Sequence, residues 1–179
     1  MQTVVRHEVF SSSESHRRRV MKERDCALLD TPVGPLLARV DAGKLTELSF
    51  FREGRSASLD VEDETLSAVK VQLGEYFDGK RQRFDVPLLL QGPAFYRRVW
   101  EALLDIPYGA TISYGELAKN VGEPDAARAV GAANGANPIA IIVPCHRVIG
   151  AGGDLVGYGG GLERKRTLLE LESGRLRLL

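Results

Sequence analysis

The sequence predicts an α/β chain of the α+β kind, a small β-sheet with one helix followed by a helical domain that carries a helix-turn-helix. Short apolar runs between turn residues occupy the first part, and apolar residues at helical spacing follow. Past residue 110, two short helix signatures flank a Gly-Glu-Pro turn.

Residues 1–24, with Ser11-Ser12-Ser13-Glu14-Ser15-His16-Arg17-Arg18-Arg19 inside them, are polar and aperiodic and are expected to form a mobile tail, the Arg triplet a solvated charge run. The runs Ala27–Leu29, Leu36–Val40 and Leu45–Phe51 are separated by Thr31-Pro32-Val33-Gly34 and Asp41-Ala42-Gly43, which turn the chain, so an antiparallel meander is predicted. Leu66, Val69, Leu73, Tyr76 and Phe77 recur at helical spacing, with Gly79 placed to end that helix in a left-handed cap. Gln91-Gly92-Pro93 reads as a boundary, giving expected domains 1–91 and 92–179. The first shows no obvious chemistry.

Phe95, Val99, Ala102, Leu103 and Ile106 then mark one face of a helix that Pro107 ends. Ser113 with Glu116 forms a capping-box pattern for a short helix through Leu117 to Val121, and Asp125 is placed to cap a second helix from Ala126 to about Asn134. That second helix is almost all small residues with one long cation, Arg128. Such a surface suits tight packing inside the protein or close approach to another surface. A major-groove reader would carry Arg, Asn or Gln at several base-facing positions, whereas a smooth helix with one Arg fits the minor groove.

Composition narrows the partners. Lys plus Arg number 24 and Asp plus Glu number 24 among 179 residues, and residues 1–91 (14 basic, 15 acidic) are as balanced as residues 92–179 (10 and 9). Neither half attracts a polyanion over long range, so any nucleic-acid site is local. Two cysteines are too few for a disulfide scaffold, the N-terminus lacks an apolar signal region, and no apolar stretch approaches the ~20 residues of a membrane span. An untargeted cytoplasmic protein with no membrane partner is expected. Cys26, Cys145 and three scattered histidines show no ligand spacing, so no metal is expected.

Ile139–Val143 reads as a strand that stops at Pro144, just before Cys145-His146-Arg147-Val148-Ile149. A thiol needs a base, because only the thiolate is a good nucleophile. His146 fits that need, and since neighbours on a strand point to opposite faces, a relay through water is expected. Glu172 falls on one face of the last helix with Leu162 and Leu169, so it should be partly buried, in a functional or a structural role. The loop from Gly150 to Gly161 lacks the Gly-Lys-Ser/Thr of a phosphate loop and is expected to form a pocket wall.

With Asn137-Pro138, Val143-Pro144-Cys145-His146-Arg147-Val148-Ile149, Gly157-Tyr158 and Gly160-Gly161 in hand, the chain resembles the O6-alkylguanine-DNA alkyltransferase family, clearly from about Phe95 to Glu172 and loosely before that. The resemblance implies a ribonuclease-H-like first domain and a helix-turn-helix of the winged-helix type in the second. It implies direct-reversal DNA repair, a stoichiometric and irreversible transfer of an alkyl group from guanine O6 to Cys145, by a monomer with no cofactor. The partner is then double-stranded DNA containing O6-alkylguanine, with O4-alkylthymine left open.

Residue by residue, the resemblance gives Cys145 as acceptor, His146 as its base through water and Glu172 as the end of the relay. Tyr114 would donate to guanine N3, Arg128 would fill the gap in the duplex, and Asn137 would brace the recognition helix. The carbonyls of Cys145 and Val148 would accept from the guanine amino group, the Gly159 amide would donate to O6, and Tyr158 would line the alkyl side. Ala127 and Gly131 lie with Arg128 and Tyr114 on the expected DNA surface. Gly135 stands where some relatives have Arg, and Val156 where others have Gly, so a weaker phosphate contact and a narrower pocket that prefers methyl to benzyl are expected. Three rivals remain: an alkyltransferase-like binder, which would lack the acceptor cysteine, a Cys-His hydrolase with multiple turnovers, and a DNA-binding regulator.

Overall fold

The structure is a computed structural model that describes residues 26–52 and 63–175; the expected tail 1–24 with Arg17–Arg19 lies outside the described residues. Strands β1 (Cys26–Leu29), β2 (Leu36–Asp41) and β3 (Lys44–Phe50) pair antiparallel in the order β1-β2-β3, the meander the turn residues predict. In β2 the consecutive residues Leu36, Leu37 and Ala38 are all buried, so both faces of the central strand are covered. Asp63 caps helix α1 (Glu64–Phe77) by accepting from the Leu66 amide at 3.0 Å. Its buried face holds the expected Leu66, Val69, Leu73, Tyr76 and Phe77, and Gly79 follows at φ +72° in the left-handed region that only glycine enters freely.

Helix α2 (Ala94–Leu104) buries Val99, Trp100 and Leu103. Trp100 Nε1 donates to the Ala133 carbonyl at 2.8 Å, which ties α2 to α4 (Ala127–Gly135). Between them, the two-residue strand β4 (Ile112–Ser113) runs into α3 (Tyr114–Asn120), and the Ser113–Glu116 capping box is present in both directions. β4 pairs parallel with β5 (Val148–Ile149), which places Tyr114 beside the Cys145 segment. Asp125 does not cap α4, contrary to expectation. The turn closed by the Ala126 amide on the Glu123 carbonyl (2.9 Å) puts Ala126 at the N-cap, where no side chain bonds the first turn.

Ile139–Val143 is not a strand either. Only Ile139 bridges, to Leu48, and the chain then folds through two tight turns. The Ile142 amide donates to Ala140 O (2.8 Å) around Ile141 at φ +70°, and the Cys145 amide donates to Val143 O (2.8 Å) around Pro144 at φ −83°, ψ 61°. These are three-residue turns, and the first carries a strained, β-branched residue at positive φ. Cys145–Arg147 itself is one turn of 3-10 helix, so its side chains radiate about a third of a circle apart instead of alternating.

Helix α5 (Leu162–Glu172) buries Lys165, Leu168, Leu171 and Glu172. Glu172 thus points inward as expected, but with other companions: Leu162 is 43% exposed, so the buried stripe is rotated from the Leu162–Leu169 face. The two halves join by backbone, since the Leu48 amide donates to Pro138 O (2.9 Å) and the Ala140 amide to Leu48 O (2.7 Å). Among the described residues no helix is long and apolar enough to cross a membrane.

Because the Ser113 cap starts the helix that carries Tyr114, Ser113→Ala should lower unfolding free energy by about 1 kcal/mol in urea titration, while an unchanged midpoint would show the cap to be idle.

Candidate active site

A cavity of about 390 Å³ opens between β3 and the Gly-rich loop, with Cys145, Asn134, Asn137, Tyr158, Gly159 and Phe50 in its wall. Phe50 comes from the first half of the chain. Its ring packs edge-on against Tyr158 (centroids 5.9 Å, 74°) and sits where a Cβ at Gly160 would collide with it, while the Arg164 guanidinium lies 4.6 Å from its centroid. The Gly-rich loop is therefore a pocket wall as expected. Val156, 42% exposed, is not among the lining residues, so the narrowing expected there has no seat and the bulk comes from Phe50. Gly135 does line the cavity.

Behind Cys145 lies a buried charged cluster. His146 is wholly buried, and its Nε2 lies 2.8 Å from Glu172 Oε1. Glu172 Oε1 also accepts from Tyr76 Oη (2.8 Å) and Arg147 Nη2 (2.9 Å), and Oε2 from Arg147 Nε (2.8 Å) and the Gly109 amide (3.1 Å). Burial pushes the Glu172 carboxyl up, but hydrogen bonds from His146 and Arg147, the Arg147 charge and, in the acid range where the imidazole is protonated, the His146 charge outweigh it and hold it at about 2. An ionised carboxylate only accepts, so Nε2 carries the imidazole proton. Burial lowers the His146 pKa against the pull of Glu172, leaving the ring neutral at pH 7, and Nδ1 keeps a lone pair with no partner among the described residues.

The thiol answers to a different balance. Burial raises Cys145 above the ordinary cysteine range, against the Asn137 side chain, the Lys165 charge and the backbone amides of Cys145 and His146. It is protonated at neutral pH, and to act as a nucleophile it would need a base. Lys165, wholly buried, donates through Nζ to the carbonyls of Val148 (2.6 Å), Val156 (2.8 Å) and Gly157 (3.5 Å). One ammonium thus pins the Gly-rich loop to β5 and directs positive charge at the sulfur. Asn137 braces the strained lead-in, its Nδ2 donating to Val143 O (2.8 Å) and its Oδ1 accepting from the Ile139 amide (3.0 Å).

The remaining expected residues are spread around this centre. Tyr114 is half-buried and outside the cavity wall, its hydroxyl donating to Val156 O at 3.3 Å and lying 3.5 Å from Gly157 O. Burial first and the nearby Cys145 second raise its pKa, against a hydrogen bond from Asn134. Val148 is buried and its carbonyl already serves Lys165, which leaves one lone-pair direction. On α4, Arg128 is exposed, Ala127 and Gly131 are half-buried, and an added Cβ at Gly131 would touch the Tyr114 ring at 3.7 Å.

Tyr76, Arg147, Lys165, Asn134 and Phe50 escaped the sequence reading. Lys165 had a signal, since it precedes Glu172 by seven residues and shares its helix face. Tyr76 and Phe50 had none, because only the tertiary fold brings the first half to the cysteine.

The family model described as the 6-O-methylguanine DNA methyltransferase DNA-binding domain matches residues 94–174, and the model of that family's ribonuclease-like domain matches residues 25–90. The chain belongs to this family. The methylated-DNA–protein-cysteine methyltransferase of Mycobacterium leprae is 54% identical over 151 residues, covering 82% of this chain and 91% of the relative. The crystal structure of Mycobacterium tuberculosis OGT in complex with DNA superposes with a TM-score of 0.77 at 53% identity, over 84% of this chain and 93% of that one. The O6-methylguanine-DNA methyltransferase of Pyrococcus kodakaraensis gives 0.58 at 31% identity, over 82% and 98%. Both domains of the expected α/β fold are thus those of the family.

The depressed Glu172 carboxyl makes a pH signature. Its ordinary value is 4.5 and its folded value about 2, so its contribution is complete above about 5 and disappears as pH falls through 2. At about 1.4 kcal/mol per pH unit this is on the order of 3 kcal/mol. Glu172→Gln should therefore be less stable by about that amount at pH 7, with the deficit closing between pH ~5 and ~2. A pH-independent deficit in chemical denaturation would mean that the carboxylate's charge is not what stabilises the cluster.

Proposed function

We propose that this methylated-DNA–protein-cysteine methyltransferase repairs DNA by accepting an alkyl group, methyl above all, from O6 of a guanine flipped out through the minor groove. Cys145 Sγ is the acceptor and is used once. The observation that carries this reading is the placement of a protonated thiol in the cavity wall, one residue from a neutral histidine whose proton Glu172 fixes on Nε2. The names of the relatives and the DNA-bound neighbour support DNA as the partner. A cytoplasmic monomer with no cofactor, divided near Gln91, is the proposed working form.

In this mechanism a water between Sγ and His146 Nδ1 takes the thiol proton to the imidazole as Sγ attacks the alkyl carbon. The S–C bond forms, the C–O6 bond breaks, and its electron pair stays on the purine. The thiol proton returns to the purine through solvent, giving a thioether and an unmodified guanine. Tyr114 donates to N3 while charge builds on the leaving base; its present contacts at 3.3 and 3.5 Å are long enough to exchange. The Gly159 amide donates to O6, the amino group is accepted by the second lone pair of the Val148 carbonyl and by the Cys145 carbonyl in exchange for its 3.3 Å bond from Asn134 Nδ2, and Tyr158 faces the alkyl group. Extruding the base costs a few kcal/mol, which Arg128 offsets by filling the vacated stack while Ala127 and Gly131 let the backbone approach.

Intact mass after incubation with an O6-methylguanine duplex should rise by one methylene on the Cys145 peptide and saturate at one per molecule. Many turnovers of released methyl product would instead mean a Cys-His hydrolase, and binding without mass change a lesion-flagging protein. Cys145→Ser should abolish the mass change and leave lesion binding within about twofold of wild type, an effect below 0.5 kcal/mol.

Arg128→Ala should slow transfer from duplex DNA by about tenfold or more, as loss of a wedge worth 1–3 kcal/mol implies, and leave transfer from the free base O6-benzylguanine unchanged. Equal losses on both substrates would place Arg128 in the fold instead of at the DNA.

A further inference from the structure

Glu172 is held from both halves of the chain, and the donor from the first half has no part in the reaction described so far. Tyr76 lies in the last turn of α1, wholly buried, and its Oη donates to Glu172 Oε1 at 2.8 Å. The same oxygen faces His146 Nε2 at 2.8 Å. The Tyr76 ring is fixed by Phe77 (5.2 Å, 76°), Phe84 (5.5 Å) and Tyr108 (6.1 Å, 84°), so the hydroxyl has one direction to point. Burial, then the Glu172 charge, raise its pKa far above the ordinary phenol range, so it stays a donor at every working pH.

We infer that Tyr76 is a positioning residue of the relay: by occupying a lone pair of Glu172 Oε1 it weakens the carboxylate's hold on the His146 proton and so keeps His146 a free base at lower pH. Donors that share one acceptor oxygen each draw on its charge, and a carboxylate relieved of one donor binds an imidazolium more strongly. Among the described residues, the titratable and charged groups facing the His146–Glu172 pair are Tyr76 from α1, Tyr108 from the segment after α2, Cys145 and Arg147 from the 3-10 turn, Tyr158 from the Gly-rich loop, and Lys165 from α5. Arg147 and Lys165 disfavour the imidazolium by charge, while Tyr76 does so through the shared oxygen without bringing a charge. Removing its hydroxyl leaves Glu172 satisfied by Arg147, Gly109 and His146, so the cluster need not collapse. The first domain, to which the proposed reaction assigns no reacting group, thereby sets the pH range over which the second works. This deepens the reading of His146 as the base and rests on it.

The test is Tyr76→Phe in the full chain, read by two methods: imidazole nitrogen shifts of His146 against pH, and single-turnover transfer from an O6-methylguanine duplex against pH. Both the His146 midpoint and the acidic limb of the rate profile should move up by about one pH unit. Replacing Tyr76 with 3-fluorotyrosine, a stronger donor of the same shape, should move both down. A residue that only fills space would lower Tm as phenylalanine and leave both midpoints in place, and that result, or shifts of the opposite sign, overturns the inference. If wild-type protein takes up no alkyl group, the transfer reading falls, yet the nitrogen titration still decides the role of Tyr76.

Discussion

The ionised carboxylate of Glu172, buried where four segments meet, is the constraint on which the site depends. Tyr76 arrives from α1, the Gly109 amide from the loop after α2, His146 and Arg147 from the 3-10 turn, and the acceptor itself from the end of α5. An uncompensated charge in such a place would cost several kcal/mol. Here it meets more donors than the roughly four lone-pair positions of a carboxylate can serve separately, which explains both its low proton affinity and its rigidity. Arg147 is secured in turn, its Nη1 donating to Ile106 O at 2.6 Å and its guanidinium lying 5.8 Å from the Tyr108 ring centroid.

That anchor makes the backbone before the cysteine intelligible. The lead-in carries Ile141 at φ +70°, a conformation that costs a β-branched residue on the order of 1–3 kcal/mol and persists only where the surroundings over-determine it. The surroundings do so from both sides. Asn137 grips Val143 and Ile139 upstream, β3 bonds through Leu48 to Pro138 and Ala140, and the Arg147–Glu172 pair fixes the turn downstream. With a regular strand in this position the cysteine and histidine would face opposite sides of a sheet. The two tight turns and the 3-10 step instead put the sulfur in the cavity wall while the imidazole stays in the core.

What was legible in the sequence follows the range of the forces involved. The meander, α1, α2 and the Ser113 cap depend on local spacing and local hydrogen bonds, and they could be read directly. Glu172 could be placed inward because a carboxylate near the end of a helix falls into helical register, yet its neighbours were misjudged: Leu162, expected on its face, is exposed, and Lys165 is buried there instead. Ile139–Val143 has the composition of a strand and lacks the partner that would make it one, since a single bridge to Leu48 is all the pairing it receives. Asp125 looked like a cap because its residue type fits, but the preceding turn set the helix start one residue later. The approach of Phe50 and Tyr76 to the site spans about a hundred residues of sequence, and no local pattern encodes it.

Chemical restraint in the resting protein follows from the same geometry. A thiol raised by burial is a poor nucleophile and a poor target for oxidation, because both reactions require the thiolate. The groups that would stabilise the thiolate, Asn137, Lys165 and the local amides, are present but outweighed by burial. In the proposed reaction the balance turns when a proton acceptor and an electrophile are available together, that is, when the cavity is filled and the imidazole is neutral. In the proposed reaction the sulfur is consumed once, which leaves no second chance to correct a wrong transfer. Keeping the thiol protonated until the substrate is seated ties its reactivity to recognition, through desolvation by the fold and one charged cluster behind the cysteine.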